Sequence, residues 1–124
     1  MNERVGLGFD VHRLEKGRPC ILGGVSIDHP TGPAGHSDGD AVLHAIIDAL
    51  TGAAGLDDVG TLFPDTDENW KGADSARLLE AVVEKVQGAD FQVGNVDVVI
   101  ATEGPRIAPV RTAMRERIAE LLGV

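Results

Sequence analysis

The sequence predicts an α+β domain in which helices pack on one face of a small β-sheet. The apolar patterns follow the order β-β-α-α-β-α along the chain, and no internal repeat or low-complexity tract interrupts them. With 124 residues, the chain is long enough for one domain with a proper core but too short for two. We therefore expect a single domain over residues 1–124.

Two strands are predicted near the N-terminus. Residues 4–12 fit a strand in which Gly6 and Gly8 thin one face, and glycines in strands often mark the close approach of another backbone. Residues 20–27 fit a second strand, which two adjacent glycines interrupt. We expect the two strands to pair as an antiparallel hairpin with a long connection. Residues 28–36 contain prolines and glycines and are predicted to form a loop.

The first helix is predicted from a capping signal and an apolar stripe. Ser37 is the expected N-cap, with Asp40 three residues later completing a weak capping box, and the helix is expected to end near Gly55. Its core stripe at helical spacing is Leu43, Ile46, Ile47, Leu50 and Ala54.

Residues 56–72 are predicted to form a loop, and a helix over 74–87 follows it. That helix has an apolar face of Leu78, Leu79, Val82, Val83 and Val86. Alternating apolar residues predict a strand over 91–101, and a final helix is predicted over 109–122, where proline suits the first turn.

Composition excludes several classes of partner. Twenty acidic residues against 11 basic ones give a net charge of −9, which repels nucleic acid and anionic membranes. One Trp, three Phe and no Tyr argue against a stacking platform for single-stranded nucleic acid. Cys20 is the only cysteine, no signal-peptide pattern is present, and no apolar run approaches the ~20 residues of a membrane span. We expect a soluble, cytoplasmic protein.

A metal site is suggested by Asp10, His12 and His44. Residues two apart on a strand point to the same face, so Asp10 and His12 would face a helix that carries His44. One carboxylate and two imidazoles, with a position left open, are typical of a catalytic zinc site. Alternatively, the Asp-x-His pair is a coincidence and His44 lies on a solvated helix face. Asp48, one turn after His44, either accepts its second ring N–H or forms an ordinary surface pair with it.

Three further segments contain candidate ligand-binding residues. His36 and Ser37 lie where a glycine-containing loop meets a helix N-terminus, which favours an anion, although Ser37 also has a plain role as a cap. Asp65 and Asp67 are two carboxylates that lie two positions apart in a loop. The alternative is that this loop is an ordinary solvated turn. Arg106 follows a Gly-Pro turn whose backbone groups could bind a nucleotide, but many loops share this composition.

Taken together, the motifs resemble those of 2-C-methyl-D-erythritol 2,4-cyclodiphosphate synthases over nearly the whole chain. In order, they are Gly-Phe-Asp-Val-His at 8–12, Gly-Gly-Val at 23–25, His-Ser-Asp-Gly-Asp at 36–40, Leu-His-Ala at 43–45, Leu-Phe-Pro-Asp-Thr-Asp at 62–67, Lys-Gly-Ala-Asp-Ser at 71–75 and Gly-Asn-Val-Asp at 94–97. The resemblance implies a lyase of non-mevalonate isoprenoid (terpenoid) biosynthesis. In its reaction, the 2-phosphate of 4-diphosphocytidyl-2-C-methyl-D-erythritol 2-phosphate attacks the β-phosphate, which closes a cyclic diphosphate and expels CMP.

The resemblance also implies a set of site residues. Asp10, His12 and His44 match zinc ligands, the first two also touching substrate. His36 is the candidate catalytic residue and, with Ser37, contacts the phosphate and the erythritol. The expected contacts to the methylerythritol part are Asp58, Val59, Gly60, Phe63, Pro64, Asp65, Thr66 and Asp67. The expected contacts to the cytidine moiety are Thr102, Glu103, Gly104, Pro105, Arg106, Ile107 and Ala108.

The family is homotrimeric, with active sites between subunits, and it uses a second divalent ion, magnesium or manganese. The ligand of that ion lies in a Thr-Thr-x-Glu motif of a C-terminal segment beyond the position of Val124. We therefore expect residues 1–124 to keep the zinc half of the site, to leave a sheet edge unpaired and to release CMP weakly. The alternative is a non-catalytic zinc-binding or assembly protein, or an inactive fragment, on the same fold. A different metal phosphohydrolase would need a water-activating base, and no residue is clearly placed for that role.

Overall fold

A computed structural model describes residues 3–35, 37–64, 66–70 and 74–124. The strands are β1 (Leu14–Lys16), β2 (Cys20–Leu22), β3 (Val25–Ile27) and β4 (Thr31–Pro33). The helices are α1 (Ala41–Ala54), α2 (Val59–Leu62), α3 (Ser75–Gly88) and α4 (Arg111–Leu122), with a 3₁₀ turn over Ala108–Val110 before α4. The predicted α+β class is confirmed.

The strands pair differently from the prediction. Residues 20–27 form not one strand but the antiparallel hairpin β2–β3, with Leu22 opposite Val25. Gly23 and Gly24 have φ of +60° and +74°, and a two-residue hairpin turn with positive φ at both positions favours glycine. The prediction that 28–36 is only a loop was also wrong, because β4 lies within it and pairs antiparallel with β1.

Residues 3–13 and 91–101, which include both remaining predicted strands, are extended but belong to no sheet within the described chain. Along much of each segment, exposure alternates from one residue to the next, as it does in a strand. A strand also needs a neighbour for its backbone N–H and C=O groups, and neither segment pairs with a described one. The two segments instead line a cleft of about 2020 Å³. The predicted extended conformation over 4–12 and 91–101 is therefore confirmed, whereas the predicted hairpin between 4–12 and 20–27 was wrong.

The N-terminal segment lies directly on the backbone of α1. A Cβ atom at Gly8 would lie 1.7 Å from the Ala45 carbonyl oxygen, and one at Gly6 would lie 1.9 Å from that of Ala49. Both distances are far inside van der Waals contact, so only glycine fits at these two positions. The predicted close approach at these glycines is confirmed.

Asp40, and not Ser37, is the N-cap of α1. Its buried carboxylate accepts hydrogen bonds from the backbone N–H groups of Leu43 (3.1 Å), Gly23 (2.9 Å) and Gly24 (2.7 Å). One side chain thus starts α1 and holds the β2–β3 hairpin against it. Burial raises the pKa of Asp40 above 3.8, against the lowering effect of these hydrogen bonds. At its other end, α1 stops at Gly55 in the left-handed conformation, as predicted.

The other helices follow their predicted positions closely. Asp74 caps α3 by accepting a hydrogen bond from the Arg77 N–H, and α3 runs one residue past its predicted end. The short helix α2 lies within the predicted loop over 56–72. The core is formed chiefly by α1, α3 and α4, with buried Leu43, Ile46, Ile47, Leu79, Val82, Val86, Met114 and Leu121. None of the helices in the described part of the chain has the length and apolar character needed to cross a membrane.

Candidate metal centre

The structure brings Asp10, His12 and His44 together at the junction of the N-terminal segment and α1. The Oδ2 atom of Asp10 lies 2.6 Å from His12 Nε2 and 3.3 Å from His44 Nδ1. One potential ligand atom from each residue lies within 4.8 Å of those of the other two. The side chains are 24%, 15% and 30% exposed, so the group is reachable from solvent but partly desolvated.

Each histidine is held through the ring nitrogen that faces away from Asp10. His12 Nδ1 makes a short hydrogen bond with the Ala34 carbonyl oxygen, and His44 Nε2 lies 2.9 Å from Ser75 Oγ. Such outer contacts fix the orientation and the tautomer of a metal-bound imidazole. They leave His12 Nε2 and His44 Nδ1 directed at the Asp10 carboxylate.

Behind His44 lies a hydrogen-bonded pair that the sequence did not predict. Ser75 Oγ donates to Asp38 Oδ1 over 2.5 Å, and the Ser75 N–H donates to Asp38 Oδ2 over 3.0 Å. Burial alone would raise the pKa of Asp38, but the hydrogen bonds from Ser75 and the Asp40 N–H, together with the nearby His44, lower the pKa below 3.8. The sequence left open whether Asp48 accepts the second His44 ring N–H, and in the structure that nitrogen contacts Ser75 instead.

Asp48 contributes to the site through its charge. Burial raises its pKa, the negative charges of Asp10 and Asp58 raise it further, and His44 opposes them. Acidic groups that destabilise each other's ionised forms favour a cation between them. The local field therefore suits a metal ion.

The donor set fits a borderline transition metal such as zinc. Zinc is bound by imidazole nitrogen and carboxylate oxygen, and three protein ligands with a fourth position open are typical of its catalytic sites. Magnesium and calcium prefer a set made entirely of oxygens. The geometry supports the predicted ligands, whose role as zinc ligands stays a prediction.

The remaining predicted site residues are held mainly by local contacts. Ser37 is partly buried, and its carbonyl oxygen accepts a hydrogen bond from Arg18 over 3.2 Å. Asp58 is the N-cap of α2, which begins at Val59 and includes Gly60, and it accepts from the Thr61 N–H over 2.8 Å. His36 and Asp65 lie outside the described residues.

The two predicted substrate loops are shaped differently. In the first, Phe63 is 6% exposed and packs edge-on against Trp70, with ring centroids 4.5 Å apart, so it belongs largely to the core. Pro64 and Asp67 close a turn by a backbone hydrogen bond of 2.9 Å, with Thr66 between them.

In the second loop, Thr102 Oγ1 donates to the Gly104 carbonyl oxygen over 2.5 Å. Glu103 and Arg106 are exposed, Pro105 is buried, and Ile107 and Ala108 lead into the 3₁₀ turn. Within the described chain, no hydrogen bond or salt bridge joins either loop to Asp10, His12 or His44.

Residues 3–124 match the YgbB family. The chain belongs to the YgbB family. This confirms the resemblance inferred from the ordered motifs.

Several relatives carry the name of the synthases that the motifs resemble. A 2-C-methyl-D-erythritol 2,4-cyclodiphosphate synthase of Gemmatimonas aurantiaca is 54% identical over 121 residues, which are 98% of this chain and 73% of that protein. A synthase of the same name from Salinibacter ruber is 55% identical over 119 residues, 96% of this chain and 76% of that protein. A solved structure of such a synthase, in a form bound to CDP, superposes with a TM-score of 0.93 at 41% identity, and the match covers 97% of this chain and 80% of that one.

Proposed function

We propose that this chain converts 4-diphosphocytidyl-2-C-methyl-D-erythritol 2-phosphate to 2-C-methyl-D-erythritol 2,4-cyclodiphosphate with release of CMP. The observation that carries the proposal is the Asp10–His12–His44 cluster in a member of the YgbB family. Relatives named 2-C-methyl-D-erythritol 2,4-cyclodiphosphate synthase match 96% or more of the chain.

The three clustered residues would hold a zinc ion. A bound divalent cation supplies Lewis-acid polarisation of a phosphoryl oxygen and neutralises negative charge. This matters here because the reaction brings one phosphate onto another inside a protein of net charge −9. With a divalent ion bound, Asp10, His12 and His44 would provide a local positive site on an otherwise repulsive surface.

The protein's own contribution is to position the substrate. The reaction transfers a phosphoryl group within one molecule, so it needs alignment and charge stabilisation but no protein nucleophile. We propose that His36 and Ser37 contact the phosphate and the erythritol, that residues 58–67 hold the methylerythritol part and that residues 102–108 hold the cytidine. A related structure bound to CDP supports a site for a cytidine diphosphate group.

We also propose that the chain forms a homotrimer with active sites between subunits. Val5, Leu7, Phe9 and Val11 alternate with the inward-facing residues of the N-terminal segment, and all four are largely exposed. Contiguous exposed apolar side chains typically mark a protein interface.

A second divalent ion, magnesium or manganese, and a cytoplasmic location are also proposed. The buried free thiol of Cys20 fits a reducing compartment.

Product analysis at excess enzyme tests the proposed reaction. The zinc-loaded protein, with magnesium added, is mixed with less than one equivalent of substrate, and ³¹P NMR follows the phosphates, so that even slow turnover is visible. We expect one cyclic diphosphate for each CMP, and no reaction with His44→Ala. CMP with an open-chain product instead would identify a hydrolase, and zinc binding with no product would favour the non-catalytic alternative.

A further inference from the structure

We propose that Ser75 is a positioning residue for the metal centre, whose hydroxyl group sets the orientation and the tautomer of His44. Ser75 ends the Lys-Gly-Ala-Asp-Ser motif at 71–75 and is the first residue of α3, whereas His44 lies on α1. The inference rests on the proposed metal site and assigns to it a residue that is not itself a ligand.

Counting hydrogen-bond donors determines the direction of each bond. A serine hydroxyl carries one proton, and an ionised carboxylate only accepts. Ser75 Oγ lies 2.5 Å from Asp38 Oδ1, so its proton points to Asp38. Toward His44 Nε2, at 2.9 Å, the same oxygen can then only accept, and the ring must carry its proton on Nε2.

The opposite ring nitrogen is thereby left free to bind a metal. A neutral imidazole carries one N–H, so a proton on Nε2 leaves the Nδ1 lone pair of His44 open. Nδ1 is the atom that faces the Asp10 carboxylate at 3.3 Å. The Asp38–Ser75–His44 chain therefore presets the tautomer that the candidate site requires.

The surroundings of Ser75 make this arrangement firm. Ser75 is fully buried at 0% exposure, so solvent does not compete for its hydroxyl group. Its own N–H donates to Asp38 Oδ2, which ties Asp38 to the start of α3 at two points. Asp38 remains ionised at neutral pH because its pKa lies below 3.8.

A comparison with His12 shows why Ser75 is informative. The outer nitrogen of His12 is held by the main-chain carbonyl of Ala34, which no substitution removes. The outer nitrogen of His44 is held by a side chain, which a single substitution deletes. Ser75→Ala also keeps the helix cap, because Asp74 supplies that hydrogen bond to the Arg77 N–H.

Two measurements on the full chain test the inference. Long-range ¹H–¹⁵N NMR of the metal-free protein reports the His44 tautomer, and competition with a coloured chelator reports zinc affinity. We expect Nε2–H in the wild type and a tautomer mixture in Ser75→Ala, with zinc affinity about 10–100-fold lower. Ser75→Thr, which keeps the hydroxyl group, should preserve both. Thr51→Val is the matched control, because the buried Thr51 hydroxyl donates to the Asp48 carbonyl oxygen within α1 and makes no other hydrogen bond in the described part of the chain.

The outcomes separate this inference from the proposed function. Zinc binding absent from the wild type would defeat the metal site, while the NMR result would still decide the role of Ser75. An unchanged tautomer and affinity in Ser75→Ala would overturn the inference. Should Ser75→Ala fail to fold, Asp38→Asn provides the second test: it releases the Ser75 proton, so we expect less Nε2–H, and an unchanged tautomer in that variant would contradict the proposal.

Discussion

The helical side of this molecule and its extended side follow the same sequence rules but differ in how completely their backbone hydrogen-bonding groups are paired. Helices α1, α3 and α4 satisfy most of their backbone hydrogen bonds internally and bury a common core. Residues 3–13 and 91–101 show the alternating exposure of strands, yet they pair with no described neighbour and line an open cleft. A helix is completed by its own segment, whereas a strand is completed only by another one.

The candidate metal centre lies where these two regions meet. Asp10 and His12 come from the extended segment, whereas His44 comes from α1 and is held by Ser75 at the start of α3. Assembly of the site therefore reports whether the N-terminal segment is seated on the helical side.

The largest difference in unfolding free energy is expected between shortening a core apolar residue and shortening an exposed one. Leu79 on α3 is fully buried, so Leu79→Ala should lower the free energy of unfolding by about 2–5 kcal/mol through lost burial and a cavity. Val99 on the extended side is 91% exposed, and Val99→Ala should change it by less than about 0.5 kcal/mol in the isolated chain. Urea unfolding measures both, and comparable losses would contradict the contrast.

The next effect concerns the cap that joins the β2–β3 hairpin to α1. Asp40→Ala leaves the N–H groups of Gly23 and Gly24 without their acceptor as well as removing the α1 cap. We expect a loss of about 2–4 kcal/mol in unfolding free energy. Asp74→Ala is the matched control, since Asp74 caps α3 alone and should cost about 1 kcal/mol. Equal losses for the two caps would show that the hairpin contacts contribute nothing.

A smaller effect, on zinc affinity, tests the contact between the N-terminal segment and α1. In Gly8→Ala the new Cβ would collide with the Ala45 carbonyl, which belongs to the α1 backbone and cannot swing away. The segment must lift, and zinc affinity should fall about tenfold, or ~1.4 kcal/mol, because Asp10 and His12 move away from His44. Gly94→Ala on the other extended segment is the control, since its Cβ meets nothing within 4 Å. Calorimetric titration with zinc distinguishes the two variants. Equal zinc affinities would contradict the close contact between the N-terminal segment and α1.

The smallest effect is a pair of opposite pH dependences from Asp38 and Asp40. The pKa of Asp38 is lowered by folding, so the unfolded chain binds more protons below 3.8, and stability from Asp38 is lost as pH falls through its folded pKa. The pKa of Asp40 is raised by burial, so the folded chain binds more protons above 3.8, and stability falls as pH rises through that window. The unfolding free energy of each variant is measured across acidic pH. Asp38→Asn should lose a contribution to stability that grows with rising pH, and Asp40→Asn should lose one that shrinks with rising pH. Slopes of the same sign would contradict these assignments.

How much of the fold is predictable depends on whether a feature is set by neighbouring residues or by residues far apart in the sequence. Apolar spacing and caps are local, so the helices ending at Gly55 and beginning after Asp74 were predictable. The choice between Ser37 and Asp40 as the α1 cap was not, because hydrogen bonds from the distant Gly23 and Gly24 decide it. Alternation likewise predicts an extended backbone but not its partner.

The candidate site follows the same rule. Asp10 and His12 share a face through the two-residue strand period, and His44 on the following helix completes the predicted ligand set. The partner of His44 was not predictable by spacing: Asp48 is one helical turn away, but the residue in contact is Ser75, 31 positions along the chain. Asp38 is 37 positions from Ser75, so only the packing of α3 against α1 brings the three together.

Zinc content tests the central claim most directly. The full chain is purified, offered zinc, dialysed against metal-free buffer and analysed for metal and protein by mass spectrometry, alongside His44→Ala. The three-ligand centre predicts about one zinc per wild-type chain and a large loss in the variant. A wild-type chain without zinc, or a variant that keeps its zinc, would contradict the assignment of Asp10, His12 and His44 as the metal centre.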